Sequence, residues 1–232
     1  MFDGFLRQWG ERTGEHLAPF DAAADYDNYV DGKPRADGTR SFLESRGIEL
    51  PEGGAEDEPG KLTITGLGNL KNEIVLRRIA QDGVQPYPSS VRYLHAVIAA
   101  GLRRAVVTSS ANSASVLSSA GLTGMFDTIV DGVVAAQQHL AGKPAPDTYL
   151  AAATMLGVEP GAAAVYEDAL AGVEAGHAGK FGIVVGVDRV GQAAQLREHG
   201  ADIVVADLAD LLPGAGPSTR PAAGPGEGGK RQ

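Results

Sequence analysis

The spacing of hydrophobic positions changes partway along the chain. From about Pro86 to Leu212, short β-branched apolar runs at Leu102–Thr108, Asp127–Val130, Ala162–Tyr166, Phe181–Val187 and Asp202–Val205 alternate with amphipathic or alanine-rich stretches at 89–100, 112–120, 147–156, 169–178 and 190–199. Apolar runs separated by helices predict a parallel sheet covered on both faces, a doubly wound α/β core. Ligands in that architecture sit at the carboxyl ends of the strands. The first 84 residues follow a helical period instead, with helices expected near 2–14, 36–46 and 69–81 and Gly- and Pro-rich breaks around 31–35 and 51–60. Lys61–Thr65 is the one strand-like run there. The pattern divides the chain into a helical unit at 1–84, an α/β core at 85–212 and a tail at 213–232. The tail holds four prolines and six glycines. It has too little apolar surface to offset its ordering entropy and is expected to be disordered.

Composition narrows the function classes. The 232 residues are 43% hydrophobic, enough to bury a real core. Twenty Lys and Arg against 29 Asp and Glu give a formal charge of −9. That sign repels phosphate backbones, and no basic stripe overrules it, so nucleic acid is not expected as a partner. No run reaches the roughly 18–20 apolar residues of a membrane span, and the N-terminus lacks a basic segment followed by an apolar one. Cysteine is absent, which excludes disulfides, Cys-ligated zinc and thiol catalysis. The expectation is a cytoplasmic monomer.

Three clusters fall where expected strands give way to helices. Thr108-Ser109-Ser110-Ala111-Asn112 places hydroxyls at a helix N-terminus, where backbone N–H groups suit a phosphate; N-capping explains it equally well. In Gly142-Lys143-Pro144-Ala145-Pro146-Asp147 two prolines fix the backbone around a lysine, with Asp147 placed to cap the next helix. An oriented ammonium suits a developing phosphoryl charge. Glu167-Asp168 follows an apolar strand and offers the oxygen ligands that Mg²⁺ takes together with substrate phosphate and water, although a capping role again accounts for the pair alone.

Order and context carry more than any one cluster. The hydroxyl, the Lys-Pro turn and the acidic pair, in that sequence, resemble three motifs of the haloacid dehalogenase (HAD) superfamily. The texture SSAN, GKPAPD and EDALAGVEAG is similar to its β-phosphoglucomutase-like branch, and the resemblance covers roughly residues 1–212. It implies a HAD-like Rossmannoid core with an N-terminal helical cap. It further implies Mg²⁺-dependent phosphoryl transfer on a small phosphosugar, by a mutase or a phosphatase. Under it Ser109 and Lys143 are catalytic, Ser110 and Asn112 contact substrate, and Glu167 and Asp168 hold Mg²⁺. Val30-Asp31-Gly32-Lys33-Pro34-Arg35-Ala36-Asp37 looks like the cap loop that grips the sugar phosphate, which makes Arg35 a phosphate ligand. Leu70-Lys71-Asn72-Glu73 looks like the family's second cap site, through Lys71 and Asn72.

One family element has no counterpart. The nucleophile and the acid–base residue belong to an Asp-x-Asp motif on a first core strand that precedes the cap. Met1-Phe2-Asp3-Gly4 already resembles the first cap helix. The first core strand is therefore expected to be missing, through a late-assigned start or a truncated coding region, and the chain as written is expected to be nearly inert. The alternative is a phosphosugar-binding pseudoenzyme that uses Arg35, Ser109 and Lys143 without turnover. A dinucleotide site at Gly66-Leu67-Gly68 lacks its third glycine and its βαβ context, and no Gly-x-Ser-x-Gly supports a hydrolase elbow.

Overall fold

The computed structural model describes residues 1–214, so most of the tail expected at 213–232 lies outside the described residues. The helical part opens with α1 (Phe2–Thr13), passes a π-helical turn at 26–30, and continues with α2 (Arg35–Glu44) and α3 (Ile64–Asp82). Phe2, Phe5, Leu6, Val30, Phe42, Leu43, Ile48, Ile64 and Leu67 form one buried cluster. The Phe2 and Phe42 rings lie 4.3 Å apart, and Phe20 meets Phe42 edge-on. This packing compensates for weak intrinsic helix propensity in α2, whose first turns carry Asp37 and Gly38.

Helix α3 starts five residues before the sequence expectation. Lys61–Thr65 is not a strand. Thr63 is the N-cap, its hydroxyl accepting from the Gly66 N–H at 2.9 Å, and Ile64 and Leu67 bury themselves one helical turn apart. The two glycines that suggested a dinucleotide turn are sites of close packing. A Cβ on Gly66 would meet the Lys61 carbonyl oxygen at 2.5 Å, and one on Gly68 would press on the Arg35 side chain at 3.1 Å.

The α/β part runs α4 (Pro88–Ala99), β1 (Ala105–Val107), α5 (Ser113–Ser119), β2 (Thr128–Val130), α6 (Gly132–Gln137), α7 (Asp147–Leu156), β3 (Ala164–Glu167), α8 (Leu170–Ala178), β4 (Ile183–Val187), α9 (Ala193–Glu198) and β5 (Ile203–Val205). Every pairing is parallel: β1 with β2, β3 with β4, and β4 with β5. Val165, Val173, Ala175, Val184 and Leu196 make the second buried cluster, with Val107 of β1 packed against it. Gly176 lets α8 approach the sheet, since a Cβ there would lie 3.1–3.3 Å from Val184 and Val165. Helix α6 escapes a periodicity reading because it is six residues long. Asp131 defines it by accepting from the Val133 and Val134 N–H groups.

No hydrogen-bonded ladder joins β1 to β3 among the described residues, where the sheet forms two separate pieces. Direct β1–β3 pairing would have required a strand order other than the expected one. Both strands nevertheless deliver their carboxyl ends to one cavity. No helix among the described residues is long and apolar enough to cross a membrane.

Candidate functional site

The cavity measures about 440 Å³ and lies where the helical part covers the carboxyl ends of β1 and β3. All nine residues singled out from the sequence line it: Arg35, Lys71 and Asn72 from the helical side, and Ser109, Ser110, Asn112, Lys143, Glu167 and Asp168 from the α/β side. The loops that carry them are separated by up to 133 positions of sequence (Arg35 to Asp168), so only the fold brings them together.

The floor is a buried ion pair. Lys143 reaches from the loop before α7, with its side chain 4% exposed, and its ammonium sits 3.3 Å from both oxygens of Glu167 at the end of β3. The Tyr149 hydroxyl donates to Glu167 at 3.1 Å, and the Lys143 ammonium lies 4.8 Å from the centre of the Tyr149 ring. Burial pushes the Glu167 carboxyl above the usual carboxylate range, and neighbouring Asp168 adds to the rise; Lys143 and Tyr149 oppose it without cancelling it. The Tyr149 phenol is raised well above its ordinary value, first by burial and then by the Glu167 charge. Gly172 of α8 makes room for this arrangement, because a Cβ there would fall about 2.1 Å from a Glu167 oxygen. The spacing between the acidic pair and the glycine in EDALAGVEAG is thus a packing requirement.

Several capping roles are not made. Ala169, not the acidic pair, is the N-cap of α8, and no side chain caps that helix. Asn112 sits at the N-cap of α5, yet its amide turns to the Asn72 Oδ1 at 2.7 Å. Asp147 is the first residue of α7 and accepts from the Ala141 N–H across the Lys-Pro loop. Thr108 and Ser110 do act locally, accepting from the N–H groups of Ser110 and Asn112.

The roof is tied to the floor by three contacts. Asn72 Oδ1 accepts from Arg35 Nη2 at 2.7 Å as well as from Asn112, so one amide aligns a guanidinium of α2 with an amide of α5. The Ser109 hydroxyl donates to the Gly32 carbonyl at 2.7 Å. Gly142 permits Pro34 to dock, as a Cβ there would overlap the proline ring at 2.3 Å. Burial lowers the Arg35 guanidinium from its ordinary value. It also lowers the Lys71 ammonium, which lies 5.9 Å from the Tyr26 ring centre, with Arg35 contributing. These cations are thereby primed for an anion, which would relieve their desolvation.

Sequence reasoning missed Tyr26, Asp31 and Tyr149. Asp31 lines the cavity, its carboxyl raised by burial and by Asp168 while Lys143 pulls it down. Its signal was adjacency: it stands in the same Val30–Asp37 loop that yielded Arg35. Among the described residues no three His, Cys, Asp or Glu side chains gather into a cation-binding cluster. Glu167 is engaged by Lys143 and Tyr149, which leaves Asp168 as the acidic-pair member turned to other work at the cavity.

Gly32 sits at φ +70°, and a Cβ there would lie 3.0 Å from the Ala169 Cβ. Gly32→Ala should therefore strain the loop and loosen the roof at a cost of about 1–3 kcal/mol. Urea titration checks this; an unchanged midpoint would show that the loop is not pinned here.

Known proteins resemble this chain in sequence and in fold. The model of the haloacid dehalogenase-like hydrolase family matches residues 7–180. A beta-phosphoglucomutase of Mycobacterium bovis is 57% identical over 215 residues, covering 91% of this chain and 82% of that protein. The beta-phosphoglucomutase of Bacillus subtilis is 30% identical over 194 residues, 83% of this chain and 77% of that protein. Among solved structures, a beta-phosphoglucomutase from Clostridium difficile superposes with a TM-score of 0.68 at 21% identity, covering 91% and 86% of the two chains.

Proposed function

Since the chain belongs to the haloacid dehalogenase-like hydrolase family, we propose that its cavity binds a phosphosugar and serves Mg²⁺-dependent phosphoryl transfer of the β-phosphoglucomutase kind. The observation that carries this reading is the convergence of Arg35, Lys71, Asn72 and Asn112 opposite Lys143 and the acidic pair on one cavity. Arg35 would take the non-reacting phosphate, with its planar fork suited to bidentate binding. Lys143 and the Ser109 hydroxyl would face the reacting phosphoryl group, where fixed donors stabilise developing charge.

The donor set suits Mg²⁺, which characteristically uses one or two carboxylates and fills its remaining positions with water and substrate phosphate. Asp168 would supply the carboxylate, with Glu167 behind it holding Lys143 in place. The ion would neutralise charge on the transferring group. Attack on phosphorus calls for a carboxylate nucleophile, and the two carboxylates at the end of β3 have other tasks: Glu167 holds Lys143 and Tyr149, and Asp168 would hold the ion. Asp31 comes from the cap loop, its carboxyl raised from the ordinary value first by burial. We therefore expect this chain, as it stands, to bind phosphosugar with little turnover.

A paired assay tests the reading. β-Glucose 1-phosphate with glucose 1,6-bisphosphate and Mg²⁺ should raise the melting temperature while release of glucose 6-phosphate and inorganic phosphate as products stays near background. Rapid product formation would overturn the expectation of low turnover. Absence of any thermal shift would overturn the binding assignment itself.

A further inference from the structure

A second cavity of about 210 Å³ adjoins the first and shares Tyr26, Val30, Lys71 and Val75 with it. Beyond that shared wall its character changes. Met1, Phe2, Phe20 and Ile74 make an apolar lining, with the carboxylate of Asp3 as its acidic group. Asp3 accepts from the Phe20 N–H through Oδ1. Tyr26 and Val75 on the shared wall remain 40% and 37% exposed, although they belong to a packed unit. The Lys71 ammonium stands at the junction near the Tyr26 ring.

From this continuity we infer that the second cavity is a subsite for the distal sugar ring of a disaccharide monophosphate, which makes the substrate class broader than hexose phosphates. The inference rests on the phosphosugar reading of the first cavity. A pyranose has C–H faces that pack on apolar and aromatic side chains and a rim of hydroxyls that seek a few polar groups. The second cavity offers that combination: an apolar lining with an ammonium and a carboxylate. A hexose phosphate anchored by Arg35 would lie within the polar cavity. A second ring linked to it would cross the shared wall beside Tyr26 and cover surface that otherwise stays open to water.

Calorimetry with glucose 6-phosphate and trehalose 6-phosphate as probes tests this on the chain as it exists. The disaccharide should bind about tenfold more tightly or better, a difference that one well-covered ring face can supply. Ile74 lines only the second cavity. Ile74→Trp should fill it and erase the preference while glucose 6-phosphate binding persists, and that persistence shows that the variant is folded. A smaller blocking variant, Ile74→Phe, gives the same readout if Ile74→Trp fails to fold. Equal affinities for the two probes in the unmodified chain would overturn the subsite and leave the phosphosugar reading intact. Failure of both probes to bind would overturn the phosphosugar reading and the subsite with it. If p-nitrophenyl β-glucoside 6-phosphate matched the disaccharide in affinity, the cavity would be a general apolar groove and the sugar assignment would fall.

Discussion

Lys143→Ala should destabilise the protein by about 3–5 kcal/mol near neutral pH, the cost of leaving one partner of a buried ion pair uncompensated. Both side chains are well shielded, at 4% exposure for Lys143 and 13% for Glu167. Removing the ammonium leaves a carboxylate whose remaining side-chain donor is the Tyr149 hydroxyl. The sign of the pH dependence follows from Glu167. Its carboxyl is already raised in the folded protein, chiefly by burial, so its contribution favours folding most at low pH and declines as pH rises from the ordinary carboxylate range through the folded value. Without Lys143 that value moves higher and the decline steepens. The deficit of the variant should therefore be small at and below the ordinary carboxylate range and should grow as pH rises through the folded value. Urea denaturation at several pH values measures it. A pH-independent deficit would mean that lost packing, not the stranded charge, dominates. The double variant Lys143→Met/Glu167→Gln should recover part of the loss, because it removes both charges together.

Arg35→Ala should weaken glucose 6-phosphate binding by roughly 10- to 100-fold, the worth of a charge-assisted hydrogen-bonded contact of about 1.5–3 kcal/mol. The guanidinium is oriented beforehand by Asn72, so little rotamer freedom is lost on binding. Small aryl phosphates lack a second phosphate or a phosphate remote from the reacting position. They engage the Lys143 end of the cavity and should lose far less. Arg35→Lys should restore charge but not the fork, giving partial recovery. Equal losses on both ligand types would contradict the role given to Arg35.

The sequence was most informative where one physical requirement dominates. The β-branched runs contain four of the five strands whole and all of β3 but Glu167, because a parallel strand buried on both faces leaves little choice of residue type. The site was legible through its loops, since Lys143 and Gly172 both meet Glu167. It was less legible where contacts come from distant segments. Nothing local in Asn72 announces that its oxygen serves Arg35 and Asn112 together. Nothing local in Tyr149 points to Glu167, 18 positions later. The early start of α3 was hidden because Lys61–Thr65 alternates like a strand, while Thr63 acts as a cap only in the presence of the Gly66 N–H it faces. Asn112 and the Glu167-Asp168 pair read as caps by residue type, yet the fold turns Asn112 toward Asn72 and Glu167 toward Lys143. Local preference yields there to a partner it cannot foresee.

We propose that one cavity, roofed by Arg35, Lys71 and Asn72 and floored by Lys143 and the acidic pair, takes a phosphosugar together with Mg²⁺. Calorimetric titration of glucose 6-phosphate with and without Mg²⁺ tests it most directly. Mg²⁺ should tighten the sugar phosphate, the sugar phosphate should tighten Mg²⁺ by the same factor, and Asp168→Ala should abolish this coupling. Phosphosugar affinity indifferent to Mg²⁺, or coupling that survives in Asp168→Ala, would contradict it.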